Sequence, residues 1–420
     1  MNRSTVLLIL ALAGTAPIAS RVRAEEPAPA KADMTTAQRT PTPVKPLLSR
    51  WVDLTEMSES QRYRNSYDGN GMRLFDNGQQ RTALAGRIKL DPNEHYFVAV
   101  RATSGRFFNW AYADYAGHDF LYYATRTIAH LSPAAQAEFF AGLAADREHA
   151  GLTFHANGWK FFVRDLYGSA TPIKQLTAEL GSIPIERGYS SEITSFDDDG
   201  YIAGERIRIH DAAHLGIDEI SFTNAYLGDL TTPNLFARGQ RLGESNYRQV
   251  AAKKIINKRV AVSAEYNWVS KTDTLREAAV VKLPESKLVD DVHIELYQRL
   301  NTVNLQGKNF AGGNGFAVFA SKKAGRVSGD FGYATVDPNY GVYINSRFLT
   351  DVGFSINGDT YGTGNRIFSH VSVKLSPVVT AFGFYTHVVS GNDYTYNKQG
   401  LNAGMKFDLK ELVNTGRKVF

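Results

Sequence analysis

The sequence predicts an all-β protein, a transmembrane antiparallel up-and-down β-barrel of about 16 strands with one helical segment near residues 132–149. Three observations lead to this fold class. Short segments of alternating polarity recur from about residue 80 to residue 410. The polar faces of these segments carry large charged side chains, and the connections between them are short on one side and mostly long on the other.

Composition agrees with such a barrel and excludes several other classes. The chain has 420 residues, of which 43% are apolar, and its mean hydropathy is −0.28. These values suit a wall in which only alternate residues meet lipid. The chain has no cysteine, which excludes disulfides and thiol chemistry. A net charge of +5 without a basic run gives no indication of nucleic-acid binding.

The chain divides into three parts. Residues 1–24 predict a secretory signal peptide, with Arg3 before an apolar core and Ala24 at a small-residue cleavage site. An uncleaved membrane anchor is the alternative, but the apolar stretch is short for a bilayer of about 30 Å. Residues 25–58 predict a flexible Pro/Ala-rich periplasmic leader, and residues 59–420 the barrel.

The alternating segments begin with a hairpin. In residues 81–90 the side chains of Leu84 and Ile88 share one face and those of Arg87 and Lys89 the other, and residues 91–94 form the turn. The pattern returns at residues 96–103, 260–268, 292–299, 326–333, 367–375, 382–385 and 401–410. A soluble β-sandwich or β-solenoid alternates in the same way. Charged residues in the middle of strands and aromatic residues near their ends favour the membrane barrel.

Loop lengths give the strand count. The predicted connections on one side are residues 376–377, 321–324, 284–289, 257–258, 210–216, 169–173 and 91–94. The other side receives residues 390–400, 336–365, 300–308, 228–245, 183–200 and 105–158, with 270–272 as a short exception. Because an even number is expected, the segment Ser60 to Tyr67 is the predicted first strand.

Residues 132–149 are predicted to be helical. Ser132 suits an N-cap, Pro133 suits the first helical position, and Gly151 follows the end. An apolar stripe contains Phe139, Phe140 and Leu143. This stripe could form a constriction in the lumen, cover the outer mouth, or belong to a separate soluble domain.

Over residues 60–420 the pattern resembles Gram-negative outer-membrane porin-like barrels. The stretch from Asn357 to Arg366, followed by a strand and the Ser376-Pro377 turn, is similar to a late loop and hairpin of alginate-export-like and carbohydrate-selective porins. Such barrels usually end in Phe, as this chain does at Phe420, although Lys418, Gly416 and Asn414 depart from the expected apolar alternation. The resemblance implies a location in the bacterial outer membrane.

The polar faces supply the candidate pore-lining residues. They are Arg87, Lys89, Arg101, Glu179, Arg206, Arg208, Glu265, Arg276, Glu295, Arg299, Arg326, Asp330, Lys374 and Lys406. Opposed basic and acidic rows would orient water and favour anions or polar solutes. Alternatively, the same charges pair with one another and only hold the wall together.

Metal and cofactor signals are weak. His210 and His214 have metal-ligand spacing but lie in a predicted turn, and Asp197, Asp198 and Asp199 are a weak calcium candidate. The Gly-rich residues 312–315 open a strand rather than a helix, so they do not predict a phosphate site. No Gly-x-Ser-x-Gly elbow is present, and we expect no cofactor.

The sequence therefore predicts a channel for diffusion of small hydrophilic solutes, with anionic and sugar-like solutes as candidates, and no enzymatic activity. Its expected partners are outer-membrane lipid, the solutes and the barrel-assembly machinery. A homo-oligomer is compatible with this prediction, and we expect no binding to nucleic acid. Two alternatives remain: an outer-membrane enzyme of the esterase or protease type, and a plugged structural or adhesive barrel. A barrel of about 16 strands is wide enough for an open channel, whereas the lumen of a barrel of about 8–12 strands is filled by side chains.

Overall fold

A computed structural model of the chain describes residues 51–67, 73–106, 160–189, 201–212, 216–226, 239, 242–245, 247–269, 272–300, 303–305, 308–310, 313–336, 364–390 and 399–411. Eighteen strands lie in these ranges. They are β1 Val52–Tyr67, β2 Arg73–Lys89, β3 Tyr96–Arg106, β4 Lys160–Ile173, β5 Leu176–Pro184, β6 Tyr201–His210, β7 Glu219–Tyr226, β8 Tyr247–Ile255, β9 Val260–Val269, β10 Thr272–Lys282, β11 Asp291–Arg299, β12 Val303–Leu305, β13 Lys308–Phe310, β14 Asn314–Ala324, β15 Val327–Val336, β16 Gly364–Lys374, β17 Val379–Ser390 and β18 Gln399–Asp408.

Sixteen of these strands form one closed antiparallel barrel, which confirms the predicted fold class and strand number. Each strand pairs with its neighbours along the chain, except that β11 pairs with β14 because β12 and β13 form a separate two-stranded sheet. The barrel closes where β1 meets β18, in a register that runs from Ser58 opposite Asp408 to Tyr67 opposite Gln399. Closure gives each of the sixteen described barrel strands a neighbour on both sides.

The two faces of the wall differ as the alternation predicts. On β6 Arg206 is 1% exposed, whereas the next residue, Ile207, is 46% exposed. Successive side chains of a strand point to opposite faces, so the buried charge lies inside and the apolar side chain outside. The same exposure of large apolar side chains recurs around the wall, at Leu84, Ile88, Leu180, Phe222, Val250, Leu296, Phe316, Phe331, Val371, Leu401 and Met405.

Short turns connect the strands at the end of the barrel where β1 begins. In the turn after β2, the Asp91 carboxylate accepts hydrogen bonds from the backbone N–H groups of Asn93 and Tyr96. Burial raises the pKa of Asp91, but these backbone bonds prevail and hold the pKa below its usual value. In the turn between β10 and β11, the Asp290 carboxylate binds the Lys322 ammonium group. This contact lowers the pKa of Asp290.

Several predicted boundaries differ from the structure. Strand β1 begins at Val52, inside the predicted leader, because the end of β2 provides a ladder partner: Val52 pairs with Ile88. Strand β4 continues to Ile173 through the predicted turn at residues 169–173, where a register shift accommodates Pro172 and the Thr171 hydroxyl contacts that of Thr177.

The remaining differences lie on β14 and in the loop before it. Strand β14 continues to Ala324 through the predicted turn at residues 321–324, because Asp290 binds the Lys322 ammonium and the Lys323 backbone. The predicted loop at residues 300–308 contains strand β12 and the first residue of β13. A short helix at residues 409–411 follows β18.

Other predicted features lie outside the described residues. They are the signal peptide at residues 1–24, the helix at residues 132–149, and Phe420 at the end of the chain. Within the described ranges, no helix has the length and apolar character needed to cross a membrane.

Candidate functional site: a segment folded into the barrel

Residues 185–189, which follow β5, leave the wall and lie against the inner faces of β6 to β9. We call them the inner segment. Its main contact is Glu186, whose side chain is buried and whose carboxylate lies 3.2 Å from Arg206 Nε, 3.5 Å from Arg208 Nε and 2.7 Å from Lys253 Nζ. Arg206 and Arg208 belong to β6 and Lys253 to β8, so one carboxylate joins the segment to two parts of the wall.

The backbone of the inner segment is bound further along the wall, on β9. The N–H of Gly188 donates to the Glu265 carboxylate, and the N–H of Tyr189 donates to Ser263 Oγ at 2.8 Å. The side chain of Gln249 donates to the Glu186 carbonyl at 3.0 Å. A Cβ at position 188 would overlap Ser263 and Glu265, so only glycine lets the backbone approach this closely. The contacts cross about 14 Å of wall, from β6 to β9.

Burial and charge act in opposite directions on Glu186. Burial raises the pKa of its carboxyl group, but Arg206, Arg208 and Lys253 outweigh burial and lower the pKa to about 2. The carboxylate therefore stays ionised over the whole physiological pH range. The ionised carboxylate and the backbone contacts at Gly188 and Tyr189 together bind the inner segment to the wall.

The wall beneath the segment is a continuous network of buried ion pairs. Glu179 on β5 contacts Arg206 at 3.1 Å and Arg208 at 2.7 Å. Glu265 on β9 contacts Arg276 on β10 at 2.6 Å and accepts a hydrogen bond from Gln249 at 3.1 Å. Buried charges persist only when partners compensate the lost hydration, and here each has at least one such partner.

A second sector of the inner wall, on β11 and β14 to β17, is aromatic. Tyr297, Phe319, Phe368 and Phe384 are buried there with two alanines. The rings of Phe319 and Phe368 meet edge to face with centroids 5.8 Å apart, and a Cβ at Gly332 would overlap both side chains. These rings face inward, so this part of the inner wall is packed with aromatic side chains, with the buried charges of Glu295 on β11 and Arg366 on β16 in the same strands.

A third sector, on β18 and β1 to β3, carries several basic side chains. Arg101 lies 3.5 Å and Lys406 lies 3.9 Å from the same carboxylate, that of Glu56. Arg87 stands over the Phe97 ring at 4.9 Å, and Lys89 pairs with Glu94 of the turn. We call Arg87, Lys89, Arg101 and Lys406 the basic sector.

The structure thus brings some predicted site residues together and separates others. Glu179, Arg206, Arg208, Glu265 and Arg276 share the buried network, and Glu295 on β11 is also buried. The other predicted residues lie apart from this network. Asp330 contacts His370, and Arg326 lies in the turn before β15. Lys374 is the last residue of β16 and Arg299 the last residue of β11.

The sequence-based candidates omitted Glu186, Lys253 and Gln249. Glu186 lies in an irregular segment with no period, so no pattern could indicate it. Gln249 and Lys253 do share one face of β8 with Tyr247 and Ala251, and that alternation was a usable signal.

The weak metal and phosphate candidates gain no support from geometry. His210 lies at the end of β6, where it contacts Glu219 at 3.2 Å, while His214, Asp197, Asp198 and Asp199 lie outside the described residues. Strand β14 begins within the Gly-rich residues 312–315. Among the described residues, no group of three or more His, Cys, Asp or Glu could hold a metal ion.

Comparisons with known proteins find similar structures but no similar sequences. No protein-family model and no curated protein matches the chain. A Salmonella typhi OmpF solved with daunomycin is 9% identical, covers 85% of this chain and 97% of its own, and has a TM-score of 0.46. A Rhodopseudomonas blastica porin mutant is 10% identical, with 85% and 99% coverage and a TM-score of 0.44. Pseudomonas putida OprB at low pH is 8% identical, with 86% and 93% coverage and a TM-score of 0.45.

The strand pairing itself defines the class of fold. A closed antiparallel barrel of sixteen strands in up-and-down order, with charged groups inside and apolar side chains outside, is a porin-like barrel.

Proposed function

We propose that this protein is an outer-membrane channel for small hydrophilic solutes. The observation that carries the proposal is the inverted polarity of the wall, with Arg206, Glu265 and Glu295 buried inside and large apolar side chains exposed outside. A water-soluble barrel would bury its apolar face, whereas a barrel in lipid exposes it to hydrocarbon. Sixteen strands enclose a space wide enough for an aqueous path.

The inner segment is the feature that would narrow this path. It lies inside the barrel and is bound by side-chain and backbone contacts on β6, β8 and β9. A segment bound at several points keeps its place while solutes pass. The size limit of the channel would therefore depend on the Glu186 contacts.

The basic sector supports a preference for anions over cations. Arg101 and Lys406 share one carboxylate, Glu56, and Lys89 pairs with Glu94, so the four cations of this sector contact two carboxylates. The charges under the inner segment largely neutralise one another. Excess positive charge on a lumen wall raises the local concentration of anions. Neutral sugar-like solutes remain a second candidate class, which permeation measurements would separate.

Location and partners follow from the same proposal. A predicted signal peptide and a closed barrel are the combination expected of a Gram-negative outer-membrane protein, in contact with lipid and inserted by the barrel-assembly machinery. A homo-oligomer is compatible with this location.

Planar-bilayer recording of the refolded protein tests the proposal. We expect discrete conductance steps and, in a KCl gradient, a reversal potential of the sign given by anion preference. Absence of steps at every voltage and salt concentration would contradict the channel, and a cation-selective reversal potential would contradict the solute class.

A further inference from the structure

Three polar residues on β15 and β16 make a chain of contacts that the channel proposal does not use. Asp330 Oδ2 lies 3.4 Å from His370 Nδ1, and Ser372 Oγ lies 3.3 Å from His370 Nε2. Asp330 stands directly opposite His370 in the register of the two strands. Ser372 follows His370 by two residues, so both side chains share one face of β16.

The order of these contacts matches the requirements of a nucleophilic serine. A carboxylate at Nδ1 holds the proton on that nitrogen, so Nε2 is free to accept the serine proton. Both distances are long for hydrogen bonds, as is common at catalytic groups before the substrate binds. We propose that Ser372, His370 and Asp330 form a nucleophile, base and acid that hydrolyse esters inside the barrel.

A neighbouring cluster has the same residue types in a different order. His293 Nε2 lies 2.7 Å from Asp291 Oδ1, and the Ser321 hydroxyl donates to that same oxygen. In that cluster the serine hydroxyl is directed at the carboxylate and the imidazole nitrogen Nε2 faces the acid. The Asp291 cluster therefore lacks the relay order and provides an internal comparison.

The site is accessible and has an apolar side. The side chains of His370 and Asp330 are 39% and 25% exposed. In the pairing of β16 with β17, Ser372 stands opposite Phe382 and His370 opposite Phe384. Aromatic rings beside the serine favour an acyl or aryl group, so the substrate class is small esters of short fatty or aromatic acids.

A cation is available for the negative charge that develops during the reaction. Lys374 lies two residues after Ser372 on the same face of β16 and ends that strand. Two residues along a strand span about 7 Å, which a lysine side chain can reach across. Its ammonium group would stabilise the oxyanion of the tetrahedral intermediate.

The reaction balances with water as the second substrate. Ser372 Oγ bonds to the ester carbonyl carbon while its proton moves to His370 Nε2. The C–O bond to the alcohol breaks, and the alcohol leaves with that proton. Water then attacks the acyl-serine, gives a proton to Nε2, and releases the carboxylic acid as the proton returns to Ser372.

Two assays on the full-length protein refolded in detergent test the triad. One measures release of p-nitrophenol from p-nitrophenyl butyrate, and the other locates a fluorophosphonate label by mass spectrometry. We expect the label on Ser372, and a rate at least tenfold lower in Ser372→Ala, His370→Gln and Asp330→Asn. Ser321→Ala, the matched control from the Asp291 cluster, should keep the label and the rate.

Far-UV circular dichroism of Ser372→Ala, expected to give the same β-sheet spectrum as the wild type, shows that the variant folds. Hydrolysis by the wild type no faster than by Ser372→Ala would overturn the proposal, as would labelling of Ser321 instead of Ser372. Channel conductance does not depend on this result, so the triad and the channel can fail separately.

Discussion

Glu186 is the residue on which the position of the inner segment depends most. Three cations approach its carboxylate, from β6 and β8, and its carbonyl accepts a hydrogen bond from Gln249. A buried carboxylate with three cationic partners is strongly held while it is charged. Protonation of Glu186 therefore removes the strongest of the contacts that hold the segment on the wall and leaves the backbone contacts at Gly188 and Tyr189.

Acid should release the inner segment. The pKa of Glu186 is about 2 when the segment is bound, below its usual 4.5, so the anchoring free energy is complete above pH 4.5 and declines as the pH falls towards 2. We expect single-channel current noise to stay constant from pH 7 to pH 5 and to rise below pH 4.

Glu186→Gln should show the noisy current already at pH 7, with no further change on acidification. Glu205→Gln is the control, because Glu205 lies on the opposite, outer face of β6 and is exposed. A quiet Glu186→Gln channel at pH 7 would show that the carboxylate does not hold the segment.

A substitution at Gly188 tests the seating of the inner segment by steric overlap instead of by charge. Gly188→Val would place atoms where Ser263 and Glu265 lie, so the segment could no longer seat on β9. We expect a changed step size in bilayer recordings. Gly168→Ala on β4, where a Cβ meets nothing within 4 Å, should leave the step size unchanged; equal effects of both would refute the close approach.

Single residues also show what the sequence could and could not predict. Alternation with apolar neighbours made it predictable that four charged residues lie on the inner face of the wall: Arg206, Arg208, Glu265 and Arg276. Their pairing was not, because register and barrel curvature decide which charges meet across strands. Glu186 has no periodic context, and its partners lie up to 67 residues away along the chain.

At the scale of the strands, buried charges link neighbouring elements. Arg276 on β10 stands directly opposite Glu265 on β9, and the two side chains are 4% and 2% exposed. Removing one partner of such a pair leaves an uncompensated buried charge. Strand ends were harder to predict than strand centres, because side chains such as Asp290 extend β14 beyond the turn that local sequence indicates.

Arg276→Met should destabilise the barrel by about 3 kcal/mol, because it leaves the Glu265 carboxylate buried with fewer partners. Urea unfolding of the refolded protein, followed by tryptophan fluorescence, measures this change. Lys323→Met on the exposed end of β14 serves as the control and should change stability by less than about 0.5 kcal/mol. The double variant Glu265→Gln, Arg276→Met should be less destabilised than Arg276→Met; equal losses would refute the charge argument.

The part of the barrel wall that the structure describes has three inner sectors: a neutralised network under the inner segment, an aromatic sector, and the basic sector. Strand number and closure were predictable from alternation and loop length, since both are repeated along the chain. The division into sectors was not, because it depends on which distant strands adjoin after closure. Solute preference should therefore follow the basic sector rather than the net charge of the chain.

Lys406→Glu should shift the reversal potential towards cation preference, because it replaces an exposed cation of the basic sector by an anion. Lys323→Glu makes the same charge change at the exposed end of β14 and should shift the potential less. An equal shift in both variants would mean that overall charge, not the basic sector, sets selectivity.

Two adjacent residues of β18 test whether the inner face of the wall lines a water-filled path. Met405 is on the outer face and Lys406 on the inner one, and the chain has no cysteine of its own. Single cysteines at these positions can be treated with a charged thiosulfonate during bilayer recording. We expect the reagent to change the conductance of Lys406→Cys and to leave that of Met405→Cys unchanged. Equal responses, or a response at position 405 alone, would contradict it.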